Sequence, residues 1–241
     1  MKRWILLFLF SISSTALAAN EVGIGCRRLR LVLDARLSPA IVERDWGSGT
    51  PRPEEPAVLE LRGCKSQLLD RFTLDAPLAR LDAAPLRGVP VPTILVSVDL
   101  TAEAGSYNGP LTIPIQVVHN HLAPAVARTP DGRLEPIRLA LTGKAAWKRA
   151  PLAKVDDLLS VSAQPKGQGF ITLYRRYHPT ARGWQVKMRS EPGMWESDGE
   201  FPETPRFPGV CIPDSQVLPA PNLKNLILSA AFAGAQGIAG A

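Results

Sequence analysis

The sequence predicts a mainly β fold, a β-sandwich or two stacked small β modules, with a short helix and a small-residue helical tail at the C terminus. Three observations carry that expectation. Apolar and polar residues alternate over several short segments, Gly, Asp, Asn and Pro turn formers separate them, and 23 prolines interrupt any long helical period. No alternation of strands with long helices suggests a doubly wound enzyme, and no self-similar period marks a repeat fold.

In chain order, MKRWILLFLFSISSTALA has Lys2 and Arg3, an apolar stretch from Trp4 to Phe10, and Ala16 and Ala18 in an A-x-A pattern. That order is the signature of an export signal cleaved near Ala18. RLRLVLD, residues 28–34, alternates Leu29, Leu31 and Leu33 with polar neighbours and reads as a half-buried strand. SGTPRPEEP breaks the period as a loop, and strands resume in AVLELRG from Ala57 and LLDRFTL from Leu68. Residues 76–92 are rich in Pro and Ala and read as a long loop or linker.

TILVSVDL from Thr93 places Ile94, Val96, Val98 and Leu100 on one face. Asn108 and Gly109 are the strongest turn pair, and LTIPIQVV returns with Leu111, Ile113, Ile115 and Val117 aligned, predicting a hairpin. Pro114 has no N–H for a ladder, which predicts an edge or a bulge. Asp131 and Gly132 mark the next turn, before Ile137, Leu139 and Leu141. Pro151, Leu152, Val155, Leu158 and Leu159 are at helical spacing and predict the short helix. GFITLYRRY and GWQVKMRS then form a second hairpin across His178 to Gly183.

These readings divide the chain into a signal at 1–18, an N-terminal β-rich region at 19–92, a main β-rich region at 93–212, and a Pro-rich linker with an apolar tail at 213–241. In the tail, Asn222 caps a helix on which Gly234, Gly237 and Gly240 form a narrow groove for close packing. Its 16 residues from Leu226 are short for a membrane span and suit docking at a membrane interface or inside an assembly.

The net charge of +6 falls by the two charges of Lys2 and Arg3 to +4 on cleavage, and the excess is scattered. Without a basic face interleaved with aromatics, the charge argues against nucleic-acid binding. Three cysteines, Cys26, Cys64 and Cys211, in an exported chain imply one bridge and one leftover thiol. Cys26 with Cys64 is the favoured pair, since each borders a predicted strand in the N-terminal half.

VVHNH puts His119 and His121 two residues apart, on one face if the strand continues, where they could share zinc with His178 or an acid. In that reading the protein is a secreted metal-dependent hydrolase with Glu135 as general base. A third reading, a carbohydrate-binding module with Trp195, Tyr174 and Trp184 as candidate contacts, needs Trp195 and either Tyr174 or Trp184 as an exposed platform, against the default in which Tyr174 and Trp184 pack across the hairpin in the core. Neither a nucleophile elbow nor a phosphate loop is present in the sequence. The leading expectation is therefore a noncatalytic accessory protein of a bacterial cell envelope, without a cofactor. It would reside in the periplasm or outer envelope and serve a secretion, conjugation or pilus-like assembly. Its partners would be envelope proteins or further copies of itself, with 222–241 contacting partner or membrane interface.

Overall fold

The computed structural model describes residues 20–33, 55–99, 109–152, 154–196 and 200–219. The predicted export signal at 1–18, the predicted helical tail at 222–241 and Asn108 lie outside the described residues. Within them the chain forms three sheets and two single-turn 3-10 helices, at Thr204–Arg206 and Asp214–Gln216.

The first sheet is an antiparallel meander of β1 (Glu21–Ile24), β2 (Arg27–Val32), β3 (Val58–Arg62) and β4 (Leu68–Thr73). Its period of two points Val22, Ile24, Leu29, Leu31, Leu59 and Leu61 inward. In the second sheet β5 (Ala79–Leu81), β6 (Thr93–Asp99) and β7 (Pro110–Val118) run side by side. β8 (His121–Pro124) and β11 (Leu139–Ala140) share the other flank of β7. The third sheet adds β9 (Val126–Arg128), β10 (Leu134–Pro136), β12 (Ala145–Pro151), β13 (Asp156–Lys166), β14 (Gly169–Thr180), β15 (Gly183–Pro192) and β16 (Leu218–Pro219). Its order is β10-β9-β15-β14-β13-β12-β16, with β9 and β15 parallel and every other pair antiparallel.

The second sheet has a core on each face. Ile94, Val96 and Val98 of β6 pack with the first sheet, together with Ile113, Ile115 and Val117 of β7. Leu95, of opposite parity, packs instead with Trp147, Leu158, Tyr177, Trp184 and Val186 of the third sheet. The connection 76–92 takes part in both cores, through Ala79 and Leu81 below and Leu86 above, all buried. A third cluster covers the outer face of the third sheet, where Tyr174, Leu159 and Val161 meet Phe207 and Val210. Phe207 stands edge-on to Tyr174 and stacks on Phe201.

Both predicted hairpins form. β6 and β7 pair from Thr93↔Gln116 to Asp99↔Pro110, and β14 and β15 close at Thr180↔Gly183. Gly109 has a second demand beyond a turn: a Cβ there would sit 2.2 Å from the Leu141 carbonyl oxygen.

Two sequence expectations are corrected. The short helix from Pro151 to Leu159 is absent; those residues end β12 and begin β13, on which Asp156 to Val161 are all buried. A strand covered on both faces reads as a continuous run, and such a run also satisfies a helical period. Pro114 is not on an edge, because β7 is flanked on both sides. Its carbonyl accepts from the Ala125 N–H at 2.8 Å, so its nitrogen faces the same flank, at the gap between the partners β11 and β8. No ladder donor is needed at that gap.

Candidate functional site

The three histidines do not converge. β7 ends at Val118, and His119 and Asn120 form the two-residue turn into β8. His119 has φ 57°, and its carbonyl accepts from Arg27 Nη1 at 2.5 Å. His121 is on the returning strand, exposed, with Nδ1 3.6 Å from Asp70 Oδ2. The same Asp70 oxygen accepts the Leu122 N–H at 2.7 Å, pinning the hairpin to β4. His178 lies in the third sheet, on β14 itself and not in the hairpin turn. Among the described residues no group of three or more His, Cys, Asp or Glu side chains is placed to hold a metal ion. The proposed zinc set of His119, His121 and His178 is thus split by a chain reversal and by sheet, and Glu135, exposed on β10, is near none of the ligands' shared space.

The aromatic platform does not form either. Tyr174 pairs with Arg189 and packs in the outer core, whereas Trp184 pairs with Pro179 and packs in the inner one. The two rings are on opposite faces of the sheet. Both are buried, and Trp195 is half-buried against the outer cluster. Its acidic neighbours are tied down: Glu196 to Lys144, and Glu191 to Arg189 at 2.8 Å and Arg206 at 3.1 Å. Cys26 and Cys64 form the favoured disulfide, with Cα atoms 4.9 Å apart, joining the exposed β1–β2 and β3–β4 loops. Cys211 is free and exposed.

The largest concentration of buried charge begins β13. Asp156 accepts from the Arg87 N–H at 2.7 Å, from Arg87 Nε at 3.0 Å and Nη2 at 2.8 Å, and from Arg149 Nη2 at 2.6 Å. Burial would push its carboxyl up, but the Arg87 and Arg149 guanidiniums outweigh that and hold it below the usual range. Asp157 accepts from Arg176 Nε at 2.5 Å and lies 2.6 Å from His178 Nδ1. A carboxylate only accepts, so this His178 nitrogen carries the proton. Arg176 also donates to the Gly209 carbonyl, fastening the 207–210 segment over the outer core. These charges join structural elements that are far apart in sequence.

Open space lies elsewhere, between β10–β11 and the inner face of the third sheet. Two adjoining cavities of about 460 and 280 Å³ share Ala140, Ala145, Ser162 and Gln164. Ser160, Ser162 and Gln164 project there at period two along β13, with Arg175 and Tyr177 on β14 and Glu135 and Arg138 on the facing wall. Arg175 Nη1 donates to Ser162 Oγ at 3.0 Å, and burial pushes the Tyr177 phenol up. Sequence reading singled out Glu135 alone of this set. The signal that marks the others is the polar stripe Ser160, Ser162, Gln164 in a strand whose alternate residues are apolar.

No protein family, curated protein or solved structure matches the chain. Among the described residues no helix is long and apolar enough to cross a membrane.

Proposed function

We propose that the chain is an exported, noncatalytic accessory protein of a bacterial cell envelope, a subunit of a secretion, conjugation or pilus-like assembly that works by binding. The observation that carries the reading is the Cys26–Cys64 disulfide between two exposed loops. An exposed bridge persists in an oxidising compartment and is reduced in a cytosol. The basic, apolar and small-residue order of residues 1–18 supports the same route. The charge clusters at Asp156 and Asp157 are engaged in tying the sheets together, and the open groove beside β13 offers a recognition surface of polar side chains. The apolar 222–241 segment, with Lys224 as its single charge, supplies a further contact to a partner or membrane interface.

The test is expression of the full precursor in a bacterium, followed by fractionation, intact mass and nonreducing peptide mapping. The expected product begins near Ala19, is found with the envelope and contains the Cys26–Cys64 peptide pair. A chain keeping residues 1–18, with three reduced thiols in the cytoplasm, overturns the reading. Deleting 222–241 is expected to reduce recovery of crosslinked partners or membrane association while the β body stays folded.

A further inference from the structure

The buried carboxylates of this fold are each matched to arginines. Arg62 and Arg71 hold Glu60, Arg87 and Arg149 hold Asp156, and Arg176 holds Asp157. Arg175, the neighbour of Arg176, differs: it is half-buried in the groove, and among the described residues its guanidinium is met by the Ser162 hydroxyl and by no carboxylate. Arg138 lines the same cavity and makes no hydrogen bond or ion pair among the described residues. The one carboxylate in that lining is Glu135, which has Arg133 3.9 Å away as a partner of its own.

We propose that the groove between β10–β11 and β13–β14 is an oxyanion-binding site, in which Arg175 and Arg138 receive the carboxylate or phosphate group of a ligand that extends past Ser162 and Gln164. A guanidinium offers paired donors matched to either oxyanion, and withdrawing it from bulk water without a counter-charge leaves it poised for one. Ser162 adds a hydroxyl, while Gln164 and Thr142 supply amide and hydroxyl groups in the adjoining cavity for a polar body attached to the anion. Glu135 on the wall opposes the anion and limits affinity, which favours a ligand that exchanges. The proposal rests on the groove and not on export. Failure to bind anions therefore leaves the envelope role standing, and a cytoplasmic chain leaves the groove standing.

The experiment is calorimetric titration of the intact chain at low salt with sodium phosphate and, separately, sodium glucuronate, with sodium chloride as control. Saturable binding of either is expected; phosphate alone assigns a phosphorylated ligand, and glucuronate alone a carboxylated hydroxylated one. Arg175→Gln and Arg138→Gln are each expected to weaken it by about tenfold. Glu135→Gln is expected to strengthen it by roughly threefold. Arg138→Gln disturbs no contact, so its unchanged melting temperature separates loss of a ligand contact from loss of fold. Binding no stronger than chloride for both probes, or binding unaffected by either arginine substitution, overturns the site.

Discussion

Asp156 and Asp157 are adjacent in sequence, yet their fully buried carboxylates lie on opposite faces of one sheet. Asp156 meets Arg87 and Arg149 on the inner face, and Asp157 meets Arg176 and His178 on the outer. Each therefore fastens a different layer to β13. Replacing Asp156 by Asn keeps the shape but takes the counter-charge from Arg87 and leaves Arg149 with only the more distant Asp82, 3.6 Å away. The expected loss is about 3 kcal/mol of unfolding free energy. Urea denaturation checks it; a loss below about 1 kcal/mol would place the pair in the class of exposed bridges.

Stability should fall on the acid side. Hydrogen bonding from Arg62, joined by Arg71, lowers the Glu60 carboxyl against the opposing effect of burial, and Asp156 is lowered as described. Both folded-state values are below the unfolded ones of about 3.9 for Asp and 4.3 for Glu, so the unfolded chain binds more protons in the interval. Their contribution is complete above that range and lost as the pH drops through the folded values. The urea midpoint is expected to be insensitive to these groups between about pH 5 and 7 and to decline below about pH 4. A Glu60→Gln, Asp156→Asn double variant should show a shallower decline.

Changing Cys26 and Cys64 together to Ser opens a loop whose ends are 38 residues apart. The chain-entropy relation gives a loss of about 4 kcal/mol, acting through the unfolded state. Reduced wild-type protein should unfold at the same urea concentration as the double variant, and Cys211→Ser should leave the midpoint unchanged.

His119 holds a left-handed backbone conformation, and its ring makes no hydrogen bond among the described residues. Its carbonyl is engaged by Arg27. His119→Gly is expected to raise stability by about 1 kcal/mol. Thermal unfolding measures the gain, and unaltered zinc retention on a chelating column would accompany it if the ring is no ligand.

Much of the fold was legible because its strands obey period two. β6 and β7 were readable residue by residue, since Ile94 and Val96 pair with Ile115 and Ile113 on one face of the sheet. The Cys26–Cys64 pairing followed from strand ends that two hairpins then brought together. The start of β13 was not readable, because the adjacent Leu158 and Leu159 face two different cores and burial on both faces erases the alternation there. The turn at His119 was missed because positive φ is uncommon outside glycine and VVHNH contains no glycine or proline to mark a reversal, so it resembled a strand running on. The Asp156–Arg87 contact spans 69 residues and the groove draws on β10 to β14, associations that no local spacing encodes.

The chain passes from the second sheet to the third twice, once where β8 gives way to β9 at Ala125 and again between β11 and β12. Ala125 is fully buried, with its N–H given to Pro114 and its carbonyl accepting from Ile137. With the return from β10 to β11 between them, tension that draws the two layers apart is thus carried through three covalent crossings rather than through side-chain contacts alone. Each crossing can yield only by stripping a strand from β7, so peeling one layer away also breaches the other. Under tension this body would behave as one mechanical element, resisting up to a single rupture instead of lengthening in stages.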